Sequence, residues 1–265
     1  MEKFIDRYSL DGAYACLNNC LYITPQGTIY KNCTGSINCP DFLSERISFV
    51  ASLPEIEGFT RPISILRDDQ GIYGYEMDYL RDYQTLQEVI YLKNRLFSSR
   101  LSFDEKKELL LKLHTTLRKL NRDYAVGDIR LQNIMLNGND AKIIDWENGA
   151  PLNSTIIPYT AYGVSGVKSL TQSDAIKMFY ESLSLLYNVN FEKIMIDEDF
   201  CEMQSAFPFP TEIEDFIDDY MDILYSHSST TIYFDEYLKK IRHQSPIEVM
   251  RVRKRAKEAL KKRKI

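Results

Sequence analysis

The hydrophobic pattern of this chain changes period once, near residue 80, and that change restricts what it can fold into. Upstream, apolar residues alternate with a two-residue period. TIYKNC (28–33) follows the turn chemistry of Pro25-Gln26-Gly27, and ISIL (63–66) and IYGYEMDYL (72–80) flank the turn Asp68-Asp69-Gln70-Gly71. Residues 4–10 and 15–23, rich in Tyr, Ile, Leu and Cys, are expected as strands too. One helix is expected among them, DFLSERISFVASL (41–53), capped by Asp41. Downstream the period becomes 3.6. Ser102-Phe103-Asp104-Glu105 forms a capping box ahead of a stripe of Leu110, Leu113, Leu117 and Leu120. Helices are expected near 172–187 and 212–226, and Ser245 to Glu248, with Pro246 in first position, opens a last one. The result is an α+β chain. A small antiparallel-sheet lobe with one helix (1–80) leads into a larger, mostly helical lobe (81–245) and a basic terminal helix (246–265).

Composition narrows the functional classes. Hydrophobic residues make up 44% of the 265 and charged residues 27%, enough core material to exclude wholesale disorder. No apolar run approaches the ~18 residues of a membrane span, and MEKFIDRYSL has no signal-peptide apolar core, so no leader is expected there. The formal charge of −5 hides a split. Pro246 to Ile265 hold nine Lys or Arg against Glu248 and Glu258, leaving −12 on the rest, and Glu192 to Asp222 hold eleven acids against Lys193. An acidic body is a poor nucleic-acid surface, while the basic end suits an acidic partner, nucleic acid or membrane lipid. The five cysteines (16, 20, 33, 39 and 201) have spacings outside the usual structural-zinc patterns, and an odd set without a leader fits a reducing cytoplasm.

The densest polar pattern lies in NRDYAVGDIRLQNIMLNGNDAKIIDWENG (121–149). IML and KII flank the turn Asn137-Gly138-Asn139-Asp140 as a hairpin, which brings Asn133 at its entry near Asp145 at its exit. These oxygens suit Mg²⁺, held by one or two carboxylates plus phosphate oxygens. Asp128 is left to accept a proton from an incoming hydroxyl.

GDIRLQN followed by IIDW resembles the catalytic loop and metal-binding aspartate of the protein-kinase-like superfamily. The resemblance spans about residues 8–190 and implies a two-lobed protein-kinase-like fold around an ATP cleft. It implies that Lys31 orients the α/β-phosphates with Glu45 as its ion-pair partner. Gly12, in LDGAYACL, falls in a worn glycine-rich loop. Met77 is the gatekeeper, with Asp78 and Tyr79 in the hinge that meets adenine. Asn133 and Asp145 hold Mg²⁺, Asp128 is the catalytic acid/base, and Asp174 anchors the catalytic loop from the helix behind it. Val126-Gly127-Asp128 and Asp145-Trp146-Glu147 depart from the protein-kinase pattern toward the aminoglycoside and choline kinase branch. Ala-Pro-Glu is absent, with Pro158-Tyr159 its nearest remnant. The implied activity is ATP-dependent transfer of the γ-phosphate to a protein Ser/Thr hydroxyl. The alternatives are a small-molecule hydroxyl kinase and a nucleotide-binding pseudokinase.

Overall fold

Thr28–Asn32 and Gly71–Asp78 form the middle of a six-stranded sheet because each alternates residues between two buried faces. In the computed structural model, which describes residues 1–18, 20–34, 42–91, 101–138, 140–153, 167–195 and 207–262, the strands are β1 (Glu2–Phe4), β2 (Ala15–Asn18), β3 (Leu21–Ile23), β4 (Thr28–Asn32), β5 (Ser64–Asp68) and β6 (Gly71–Asp78). Their order is β1-β5-β6-β4-β3-β2, antiparallel except for the parallel pair β1–β5. Register places Lys31 opposite Tyr75 and Ile29 opposite Met77, so these four share the face turned toward the rest of the chain. The other face buries Tyr22, Tyr30, Leu66 and Tyr73 beneath Leu10.

Two sequence expectations for this region are corrected. Residues 4–10 are not a strand. After β1 the chain makes a 3₁₀ turn (Arg7–Ser9) and a helical turn α1 (Leu10–Ala13), because the Asp6 carboxylate accepts from Tyr8 N at 3.1 Å and Ser9 Oγ donates to Asp6 O. Such local side-chain bonds compete with a strand ladder. Residues 15–23 are two strands, β2 and β3, folded back on each other. Helix α2 (Leu43–Ser52) buries Leu43, Arg46, Ile47 and Val50. Asp41, Cys39, Cys201 and Pro158-Tyr159 lie outside the described residues.

Beyond the sheet come β7 (Gln84–Thr85), α3 (Leu86–Tyr91) and α4 (Phe103–Leu120). Ser102 and Glu105 close the capping box of α4 as the sequence indicates, at 3.2 Å and 2.7 Å. Next are β8 (Tyr124–Ala125), β9 (Ile134–Asn137), β10 (Asp140–Ile143) and β11 (Ala150–Pro151). Strands β9 and β10 form the hairpin expected around Gly138, with β7 on its edge, and β8 pairs β11. The helices α5 (Leu170–Tyr187), α6 (Glu192–Met195), α7 (Thr211–Tyr225), α8 (Asp235–Leu238) and α9 (Pro246–Lys262) follow among the described residues. The chain is thus mixed α+β, with one apolar core running from the inner sheet face and α2 through α4, α5 and α7 to Val252 and Ala256 of α9. Among the described residues no helix is long and apolar enough to cross a membrane.

Candidate functional site

The residues with chemistry meet where the inner sheet face faces the turn after β10. Asp145, two residues beyond that strand, is in the left-handed conformation (φ 57°, ψ 50°) and begins a short 3₁₀ turn, Trp146–Asn148. Lys31 reaches it from β4, with Nζ 2.6 Å from Asp145 Oδ1, and also pairs with Glu147. The lysine is 6% exposed. Burial alone would push its pKa down, but Glu147 and Asp145 outweigh it and hold the ammonium above its ordinary value. Cys33 Sγ lies 3.6 Å from Glu147 Oε1, and burial, then that carboxylate, push its thiol well up.

Trp146 fastens this turn. Its ring stacks on Tyr75 with centroids 4.8 Å apart, and its indole N–H donates to Thr60 O at 2.8 Å. Its carbonyl accepts from the Tyr124 hydroxyl at 2.9 Å and from Gly149 N.

Asp128 stands in the adjoining loop, 4% exposed. Its Oδ2 accepts from Arg130 Nη2 at 2.6 Å, Asn133 Nδ2 at 3.1 Å and Asn148 Nδ2 at 3.4 Å. Asn133 also donates to the Asp128 carbonyl, and its own carbonyl accepts from Ile144 N, so loop and turn are stitched together. Behind the loop, Asp174 of α5 accepts from Val126 N, Gly127 N and Asn121 Nδ2 at 2.7, 2.8 and 3.1 Å. Burial raises its carboxyl to about 6, against the pull of those two amides. Gly127 has φ +76°, which a side chain would strain, and its carbonyl takes the ammonium of Lys177 at 2.9 Å.

The structure therefore brings together Lys31, Asp128, Asn133 and Asp145. Glu45 is not among them. It is exposed on α2, because the inward stripe of that helix runs through 43, 46, 47 and 50. Arg46 takes the inward position and donates from Nη1 to the Glu147 carbonyl at 3.2 Å. Gly12 lies in α1, ahead of the β2–β3 hairpin rather than in its turn, so it does not serve as a loop glycine of that hairpin. Met77 is half-buried on the Lys31 face. Asp78 is exposed at the end of β6, and the Tyr79 carbonyl accepts from Arg81 N at 2.9 Å.

Sequence reasoning missed Glu147 as the partner of Lys31, and Arg46 and Arg130. The 43-46-47-50 stripe was a readable signal for Arg46. The Lys31–Glu147 contact joins distant positions and had none. No protein-family model matches the chain, and no curated protein matches it significantly.

Proposed function

We propose that this chain is an ATP- and Mg²⁺-dependent phosphotransferase with a two-lobed, protein-kinase-like arrangement, moving the γ-phosphate to a hydroxyl, foremost Ser/Thr of a protein. The observation that carries the reading is the 2.6 Å contact of Lys31 with Asp145, across the sheet-to-turn junction and beside an Asp128–Asn133 pair. Four residues of the kinds phosphoryl transfer uses, a lysine, two aspartates and an asparagine, come from three segments of the chain, and this supports the reading.

The donor set fits Mg²⁺. The Asn133 amide nitrogen is spent on Asp128, leaving its oxygen to a cation, and the Asp145 carboxylate is 39% exposed. Both are hard oxygen donors. Bound there, the ion would neutralise phosphate charge. Lys31 would hold the α/β-phosphates. Asp128 has Oδ2 taken by Arg130, Asn133 and Asn148, which restrains the carboxylate, and its other oxygen would accept the proton of the acceptor hydroxyl. A second reading, transfer to a small-molecule hydroxyl, is favoured by Gly127. At φ +76° it leaves no arginine side chain before Asp128 to receive a phosphorylated segment.

Labelled ATP with Mg²⁺, offered generic protein acceptors, aminoglycosides and choline, tests both. Label entering protein supports the first reading, and label on a small molecule alone supports the second. In either case Asp128→Asn should lower transfer at least ~100-fold while nucleotide affinity stays within about twofold. Nucleotide binding without transfer to any acceptor would instead favour a pseudokinase.

A further inference from the structure

We propose that Glu147 and Arg46 are the positioning residues of Lys31, in place of a glutamate on α2. The inference rests on the phosphotransferase reading and concerns how its nucleotide lysine is aimed and what could disturb it.

A lysine side chain has four rotatable bonds, so it points reproducibly only if its partner is itself immobile. Asp145 and Glu147 lie two residues apart on one tight turn whose left-handed start sends both carboxylates to the same ammonium. Of the two, Glu147 is the more sheltered, its side chain 5% exposed against 39% for Asp145, so water competes least for that contact. The turn is held by the bonds to Trp146 given above. At Glu147 it is held by Arg46, itself only 1% exposed. The two buried cations, Lys31 and Arg46, are matched by the buried Glu147 and the half-exposed Asp145, so the formal charges sum to zero.

Helix α2 is therefore coupled to the site through an arginine on a backbone carbonyl, not through a carboxylate on the lysine. An outward swing of α2, which would cut a helix-glutamate pair, here has to strip Arg46 from the turn. The lysine, turn and helix form one unit, and the exposed Glu45 takes no part.

The test uses the full chain, ATP·Mg²⁺ affinity by calorimetry, and the emission of Trp146, the only tryptophan, which reports on the turn. Glu147→Gln is expected to weaken nucleotide binding about tenfold with Trp146 emission and melting temperature unchanged, since the turn survives but the charged contact does not. Arg46→Met is expected to red-shift Trp146 and weaken binding, and Arg46→Lys to recover part of both. Glu45→Gln should bind like the native chain. Binding by Glu147→Gln equal to or tighter than native overturns the proposal, as does a loss in Glu45→Gln matching that in Glu147→Gln. If the native chain binds no ATP, the phosphotransferase reading falls and takes this proposal with it. If the native chain binds and Glu147→Gln binds equally, only the positioning proposal falls.

Discussion

A Cβ placed on Gly149 would lie 2.1 Å from the Ala125 carbonyl oxygen and 2.8 Å from that of Val126, both backbone atoms that cannot move aside cheaply. Gly149 closes the turn that carries Asp145 and Glu147, and its amide donates to Trp146 O. Gly149→Ala should therefore push the turn off β8 at a cost of about 1–3 kcal/mol or more. Thermal unfolding should record a lower melting temperature. Trp146 emission should shift in the folded protein, and an unshifted spectrum would refute the close-packing argument. The sequence revealed residues of this kind unevenly. Asn133 and Asp145 were legible because a hairpin spacing put them at its entry and exit, and Asp128 because it stands five residues ahead of Asn133 in the same polar pattern. Glu45 was misplaced by one position, since its role was carried over from a resemblance, while the inward stripe of its helix pointed to Arg46. Gly149 gave no signal, because its constraint is set by β8, twenty-odd residues upstream and visible only once the strands pair.

Among the elements, α4 and α5 form the central contact of the helical part, and it contains a buried titratable group. His114 on α4 is fully buried, its Nε2 2.9 Å from Ser182 Oγ on α5 and its ring edge-on to Phe234. Burial, then Arg118, push its pKa down to about 3 from an ordinary 6.5. The folded chain keeps this imidazole neutral while the unfolded chain protonates it. Its stabilising effect is complete above pH 6.5 and is lost as pH falls from 6.5 toward 3. The full swing is on the order of 4–5 kcal/mol. Asp174, raised to about 6 by burial, works the other way between 6 and 3.8, so the native profile is a composite. The difference between native and His114→Phe isolates the histidine. Chemical denaturation between pH 4 and 7 should give the variant a stability that falls less with acid, and parallel curves would exclude this origin. Element positions were the most legible level. The caps at Ser102 and Ser245 and the 3.6 period in α7 depend on a few neighbouring residues, and the structure keeps all of them. Residues 4–10 misled because an apolar count does not register Asp6 and Ser9 bonding to their own backbone.

At the scale of the whole molecule, the charge split keeps its sign but changes its meaning. In sequence the basic end reads as a terminal helix, beyond the span of about residues 8–190 that carries the resemblance, suited to an acidic partner, nucleic acid or membrane lipid. In the fold, α9 is built into the core: Val252 and Ala256 are buried, and Val249, Ala259 and Leu260 pack half-buried beside them. Arg253 comes close enough to Lys106 of α4 to add to the burial that lowers the lysine to about 8. That lysine bonds to Leu186 O and Asn188 Oδ1 at the end of α5, so three helices meet there. The positive charge sits on the outward face, where Arg251, Lys254, Lys257 and Lys261 are exposed. Basicity and packing are thus carried by opposite sides of one helix, a division that a net-charge count cannot register. Removing residues 246–265 would expose apolar surface worth on the order of 5 kcal/mol, comparable to the entire net stability of an ordinary domain, about 5–15 kcal/mol. The truncated chain is expected to melt at least ~10 °C lower or to be recovered insoluble. The double variant Lys254→Glu, Lys261→Glu, which changes only the outer face, should keep the native melting temperature to within a degree or two. Calorimetry on the two proteins separates the alternatives: if the truncation melts like the native chain, α9 is an appendage after all, and the core drawn through Val252 and Ala256 is wrong.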